Sequence, residues 1–126
     1  MTSFDPHNGP VIVRVEVFGS AGSAILRLAL DTGATTTVIN TGLLITLGYD
    51  PIASPERIQI TTGSGVEFAP RLSLSRIATL DIERSNFPVL SHTLPPSAGV
   101  DGLLGLDYFR GRTLTVDFRA GQITVT

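Results

Sequence analysis

The sequence predicts an all-β domain with one or two short helices, closed into a barrel or folded as a sandwich. Three observations predict it. Apolar residues alternate with polar ones through several short runs, which is the period of a half-buried strand. Clusters of Gly, Pro, Ser, Asn and Asp divide those runs at hairpin spacing. Only two stretches, Thr41–Gly48 and Leu103–Gly111, suit a short helix. At 126 residues the chain has room for a core but not for two lobes.

Residues 1–10 are polar, contain Pro6, Gly9 and Pro10, and predict a loose N-terminal arm; residues 11–126 then form a single domain. Val11, Val13, Val15 and Val17 alternate with polar or outward positions, Gly19–Gly22 turns, and Leu26, Leu28 and Leu30 resume the alternation up to Asp31. After Val38-Ile39 a helix capped by Thr41 is expected, with Leu43, Leu44 and Leu47 on its apolar face and Gly48 at its end. Ile58 and Ile60, the turn Thr62-Gly63-Ser64-Gly65, then Val66 and Phe68 predict a second hairpin. The step from Leu74 to Ile77 breaks the period of two, so a bend or bulge belongs there. Leu80 and Ile82 continue as strand, Glu83–Asn86 predict a turn, and Phe87, Val89 and Leu90 a further strand. Ser91–Gly99, with Pro95-Pro96, reads as a loop. Leu103–Arg110 predicts a short helix closed by Gly111, and Thr113–Thr126 a final hairpin turning at Arg119-Ala120-Gly121.

Composition removes several classes of function. The net charge of -2 leaves no basic patch for nucleic acid. The absence of cysteine removes disulfides, thiolate metal sites and thiol nucleophiles. No run approaches the roughly 18 apolar residues of a membrane span. The start, Met1–His7, lacks the basic and apolar regions of a signal peptide, which predicts a cytoplasmic protein. Charged residues make up 16% and the mean hydropathy is +0.29, apolar enough to predict that some surface is covered by a second copy.

The organising stretch is Leu28-Ala29-Leu30-Asp31-Thr32-Gly33-Ala34-Thr35-Thr36-Thr37-Val38-Ile39. A carboxylate at the end of an apolar run is costly to bury unless it is hydrogen-bonded or paired. Thr32 places a hydroxyl beside it, and Gly33 lets another backbone approach closely. Asp-Thr-Gly also serves as an ordinary turn. Its setting between two apolar runs, and a matching downstream piece at Val100–Arg110, argue for a functional site.

Asp31-Thr32-Gly33-Ala34-Thr35, followed by Thr36-Thr37-Val38-Ile39 and later by Leu103-Leu104-Gly105, resembles the retropepsin-like (retroviral-type) aspartic proteases, in particular their single-domain bacterial members. The resemblance runs from about Val11 to about Val125. It implies the closed acid-protease barrel, with Thr62-Gly63-Ser64-Gly65 at the tip of a flap hairpin. It makes Asp31 catalytic. Thr32, Gly33, Leu103, Leu104 and Gly105 become supports of the active-site turn, the last three packing beneath it and opening a short helix. Gly33, Ala34, Thr35, Thr36 and the flap tip become binding positions for an extended peptide, and the loop 91–99 would line its pockets. With one catalytic turn per chain, it also implies a homodimer.

Two like carboxylates in contact share one proton, so one can activate water while the other hydrogen-bonds the substrate carbonyl. Neither metal nor cofactor is called for. Many viral members carry acidic residues after Asp-Thr-Gly-Ala and an Arg after the later glycine; here Thr35, Thr36 and Leu106 stand there, so that ion pair is missing. Asp101, Asp107 and Asp117 suit turn, helix and surface positions instead of a second catalytic acid. His7 and His92 lie in loops without ligand spacing, and no Gly-x-Ser-x-Gly elbow accompanies them. The main alternative is a non-catalytic peptide-binding or assembly domain that keeps the fold.

Overall fold

The computed structural model of the chain describes residues 1–62 and 65–126. Its strands are β1 (Thr2–Ser3), β2 (Ile12–Gly19), β3 (Gly22–Leu30), β4 (Val38–Asn40), β5 (Arg57–Thr62), β6 (Gly65–Thr79), β7 (Ile82–His92), β8 (Gly102–Leu104), β9 (Leu114–Asp117) and β10 (Gln122–Val125). One α-helix, α1, covers Thr41–Thr46, and 3₁₀ turns cover Pro96–Ala98 and Leu106–Phe109. The fold is all-β, as the alternation predicts.

Seven strands run in the order β2-β3-β8-β4-β7-β6-β5, and a further pairing of β2 with β6 closes the first six into a barrel. Closure removes the open edges that an isolated sheet would expose. Val13, Val15 and Val17 of β2 and Leu26 and Leu28 of β3 point inward and are fully buried. They pack with Ile39, Leu44, Leu74, Ile77, Val89, Leu104 and Tyr108 in one continuous core. On the outer face, the Arg76 guanidinium lies 3.7 Å over the Phe18 ring.

Several local expectations need correction. The arm is not wholly loose: Thr2–Ser3 pair with Ile123 and Gln122, and Phe4 stacks edge-on against Phe118 at 5.3 Å. Asn40, not Thr41, caps α1, its side chain accepting from the Gly42 N–H at 3.1 Å. Thr41 instead shares a 2.7 Å hydroxyl hydrogen bond with Ser91. The turn expected at Glu83–Asn86 lies inside β7, and the chain reverses at Leu80-Asp81. Both of those residues have positive φ, 54° and 61°, the mark of a two-residue type I′ hairpin. Glu83 and Ser85 face outward, whereas Arg84, on the opposite face, is half-buried with its guanidinium 5.6 Å over the Tyr108 ring. Glu83 pairs with Arg76 across the ladder at 3.1 Å, and the Arg84 Nε–H donates to the Tyr108 carbonyl at 2.8 Å.

The break between Leu74 and Ile77 is real, and both side chains are fully buried. The β6–β7 ladder passes from Leu74↔Phe87 to Arg76↔Ser85, stepping over Ser75 and Asn86. Asn86 has a φ of 51°, and the Ser75 N–H donates to the Tyr49 hydroxyl at 2.8 Å instead.

Tyr108 fastens the hairpin at Leu80-Asp81 to the core. Its ring stacks edge-on with Phe87 and Phe109, each at 5.6 Å. Its buried hydroxyl donates to the Ile82 carbonyl and accepts from the Thr79 N–H at 3.1 Å. Burial pushes the phenol above its ordinary value. Tyr108→Phe keeps the packing but strands a buried donor and acceptor, so the loss expected in urea unfolding is about 1–3 kcal/mol. A change below about 0.3 kcal/mol would show that these bonds are dispensable.

Candidate active site

The Asp31 turn exists because β8 is inserted between β3 and β4. On one side β8 runs parallel to β3, with Leu28↔Gly102 and Leu30↔Leu104. On the other it runs antiparallel to β4, with Val38↔Leu103. The chain must therefore leave β3 at Leu30, cross over the end of β8 and enter β4 at Val38. Residues 31–37 are that crossing.

The crossing is hydrogen-bonded at both of its ends. The Asp31 N–H donates to the Leu104 carbonyl at 3.0 Å, and the Ala34 N–H to the Asp31 carbonyl at 3.1 Å. The Gly33 N–H donates to Asp31 Oδ1 at 2.9 Å, which aims a half-exposed carboxylate along the turn. A β-carbon at position 33 would stand 3.1 Å from that same oxygen, so a glycine keeps the contact unstrained. From below, the Leu106 N–H donates to the Ala34 carbonyl at 2.9 Å, and the Gly105 N–H to Thr37 Oγ1 at 3.1 Å. A β-carbon at Gly105 would lie 2.8 Å from both the Ala34 oxygen and the Thr36 carbonyl carbon. Leu103, Leu104 and Gly105 thus lie under the turn, although not as the start of a helix. Leu103 and Leu104 belong to β8, because strands on both sides take their backbone groups, and coiling begins only past Gly105.

Beside the turn lies a cleft of about 460 Å³. One wall is Gly33, Ala34, Thr35 and Thr36; the other is Ile58–Thr61 of β5; Val38 and Leu90 lie between. None of these lining residues is charged, and Asp31 is the carboxylate adjoining them in sequence. The β5–β6 hairpin narrows to the pair Thr62↔Gly65. Gly63 and Ser64, expected at the flap tip, lie outside the described residues.

A model of the aspartyl protease family matches residues 13–108, a span that contains both the turn and β8. The chain belongs to the aspartyl protease family. Among solved structures 145 chains match its fold. One is the crystal structure of a retropepsin-like aspartic protease from Rickettsia conorii, 15% identical, with a TM-score of 0.66 over 98% of this chain and 86% of that one. No curated protein matches it in sequence.

Two further features of this aspartyl protease family member differ from expectation. The loop after β7 does not line the cleft of the single chain. β7 itself continues through Ser91 and His92, and Ala98 and Gly99 border a separate cavity of about 440 Å³ with Asp5 and Arg27. Arg27 closes that side by donating to the Gly99 carbonyl at 3.0 Å. The second feature is Asp107, whose carboxylate accepts from both the N–H and the hydroxyl of Thr37, at 3.0 and 2.7 Å. Its place three residues after Leu104 was visible in the sequence, but its partner, 70 positions away, was not. Asp101 and Asp117 are structural: Asp101 Oδ2 accepts from the Arg27 N–H at 2.8 Å, and Asp117 Oδ1 accepts from the N–H groups of Arg119 and Ala120 at 2.9 Å each.

Proposed function

We propose that the protein is a homodimeric aspartic endopeptidase, with Asp31 of each subunit meeting its copy across a twofold axis. The observation that carries this reading is the Asp31 carboxylate, aimed by the Gly33 N–H and set beside an uncharged cleft. One such turn supplies one carboxylate, and hydrolysis of an amide by this route needs two. A twofold axis is the simplest way to bring two identical turns together.

In the proposed mechanism an extended peptide lies between the Gly33–Thr36 wall and β5, pairing its backbone with theirs as an added strand. The two Asp31 groups share one proton. The charged one accepts a proton from water, which attacks the scissile carbonyl, while the protonated one hydrogen-bonds the carbonyl oxygen. Collapse of the tetrahedral intermediate transfers a proton to the departing nitrogen. Thr32, exposed on the single chain, is free to bond across the interface and hold the two turns in register. The β5–β6 hairpin, described up to the pair Thr62↔Gly65, would cover the peptide, as lids do in many enzymes.

The test couples association to activity. Cleavage of an unstructured peptide should rise faster than linearly with protein concentration near the dimer dissociation constant, while sedimentation shows the dimer forming over the same range. A statine-type peptide should inhibit cleavage and raise the melting temperature. Activity strictly proportional to concentration, from a species that sediments as a monomer throughout, would refute the paired-carboxylate reading. A protein that binds peptide without cleaving it would instead be a binding domain on a protease fold.

A further inference from the structure

Thr37 is the most constrained residue of the crossing between β3 and β4. It is fully buried, and each of its polar groups is engaged. Its carbonyl accepts from the Leu90 N–H at 3.0 Å, which ties it to β7. Its hydroxyl accepts from the Gly105 N–H at 3.1 Å and so must direct its own proton elsewhere; Asp107 Oδ1 receives it at 2.7 Å. Its backbone N–H lies 3.1 and 3.0 Å from the two oxygens of the same carboxylate. Every Thr37 group that faces Asp107 is a donor, so the partner has to be an acceptor at both oxygens.

Asp107 is itself anchored through its neighbours. It belongs to the 3₁₀ turn Leu106–Phe109, whose Tyr108 and Phe109 are sunk in the core. On one side of Asp107, the Leu106 N–H holds the Ala34 carbonyl; the carboxylate of Asp107 holds Thr37. Thr35 and Thr36 are the two residues between those anchors, and they form part of the cleft wall.

We propose that Asp107 is a positioning residue for substrate: its carboxylate pegs Thr37, and through it sets the backbone of Thr35 and Thr36 against which the peptide is aligned. This rests on the reading of the cleft as a peptide site and of Asp31 as catalytic. Asp107 touches neither the peptide nor the water in this scheme. It acts through the wall, where a displacement of an ångström is enough to spoil alignment.

The experiment compares Asp107→Asn with the wild type as intact, folded dimers. Asn keeps the volume but turns one acceptor into an NH₂ group facing the Thr37 N–H. We expect kcat/KM to fall between about fivefold and about 10²-fold, with KM rising more than kcat falls, because alignment is lost already in the bound peptide. Amide exchange over Thr35–Val38 should quicken while the β2–β3 ladder keeps its protection. If kcat/KM per folded dimer stays within about twofold of wild type, Asp107 is only structural and the proposal falls, whatever happens to the melting temperature. Should Asp107→Asn not fold, Thr37→Val and Thr37→Ser replace it: Val, lacking the hydroxyl, should lose cleavage and Ser should restore it. Equal activity of those two variants would overturn the peg. A wild type without cleavage overturns the protease reading and this inference together, whereas a cleaving wild type with an unaffected Asp107→Asn overturns the inference alone.

Discussion

Asp31→Asn should lower peptide turnover by at least the ~10²–10⁴ typical of lost general acid–base catalysis, with the fold unchanged. The amide retains an oxygen to accept the 2.9 Å bond from the Gly33 N–H, so the turn keeps its shape. What it cannot do is take a proton from water. Dimerisation and thermal stability should survive, and should rise at a pH where both members of the proposed Asp31 pair would be ionised, since two neutral amides do not repel as two carboxylates do. The measurement is steady-state cleavage beside a thermal melt and sedimentation, on the same preparation. Cleavage that persists in the variant would displace Asp31 from the chemistry. A drop in stability of about 1 kcal/mol with no change in turnover would mark Asp31 as an ordinary turn residue.

Gly102→Ala should be among the most destabilising single-methyl additions available to this chain. Gly102 is buried in β8, between β3 and β4. A β-carbon there would stand 2.1 Å from the Val38 carbonyl oxygen, 3.0 Å from Leu28 Cδ2 and 3.1 Å from Ile39 Cα. Two of those three atoms are backbone, so no rotamer change relieves the clash. β4 would have to move away, and it is held on its other side by β7 through Val38↔Leu90 and Ile39↔Ser91. Overpacking costs about 1–3 kcal/mol and occasionally more, and a backbone collision belongs at or above the top of that range. The melting temperature should fall by roughly 10 °C. Cleavage by the folded fraction should fall as well, because β8 carries the Leu104 carbonyl that holds the Asp31 N–H. Gly42→Ala in α1 is the control: its β-carbon meets nothing closer than Asn40 Oδ1 at 3.7 Å, and alanine suits a helix better than glycine. Equal melting temperatures for Gly102→Ala and wild type would mean that β8 does not occupy this slot.

What the sequence could carry by itself was local in kind. The alternation of Val13, Val15 and Val17, and of Leu26 and Leu28, records which face of a strand is buried, because side chains alternate across it. That was sufficient for the all-β class and the first hairpin. Asp31-Thr32-Gly33 with Leu103-Leu104-Gly105 was sufficient for the candidate site, since both motifs are contiguous and their glycines mark close approach. The misplaced turn at Glu83–Asn86 has the same origin: four polar residues resemble a turn when the strands beside them are unknown. In the fold Glu83 and Ser85 face outward and the half-buried Arg84 is held by the Tyr108 carbonyl, while the chain reverses at Leu80-Asp81, one of them apolar. Leu103-Leu104 likewise suits a helix until β3 and β4 flank it and take its backbone groups from both sides. The roles that only the tertiary structure decided are those of residues whose partners lie far along the chain. Asp107 meets Thr37, and Gly102 meets Val38, because β8 is threaded between two strands that precede it by more than 60 residues. Hydrogen bonding and steric contact act over a few ångströms of space, and sequence order does not encode which distant segments the barrel brings within that range.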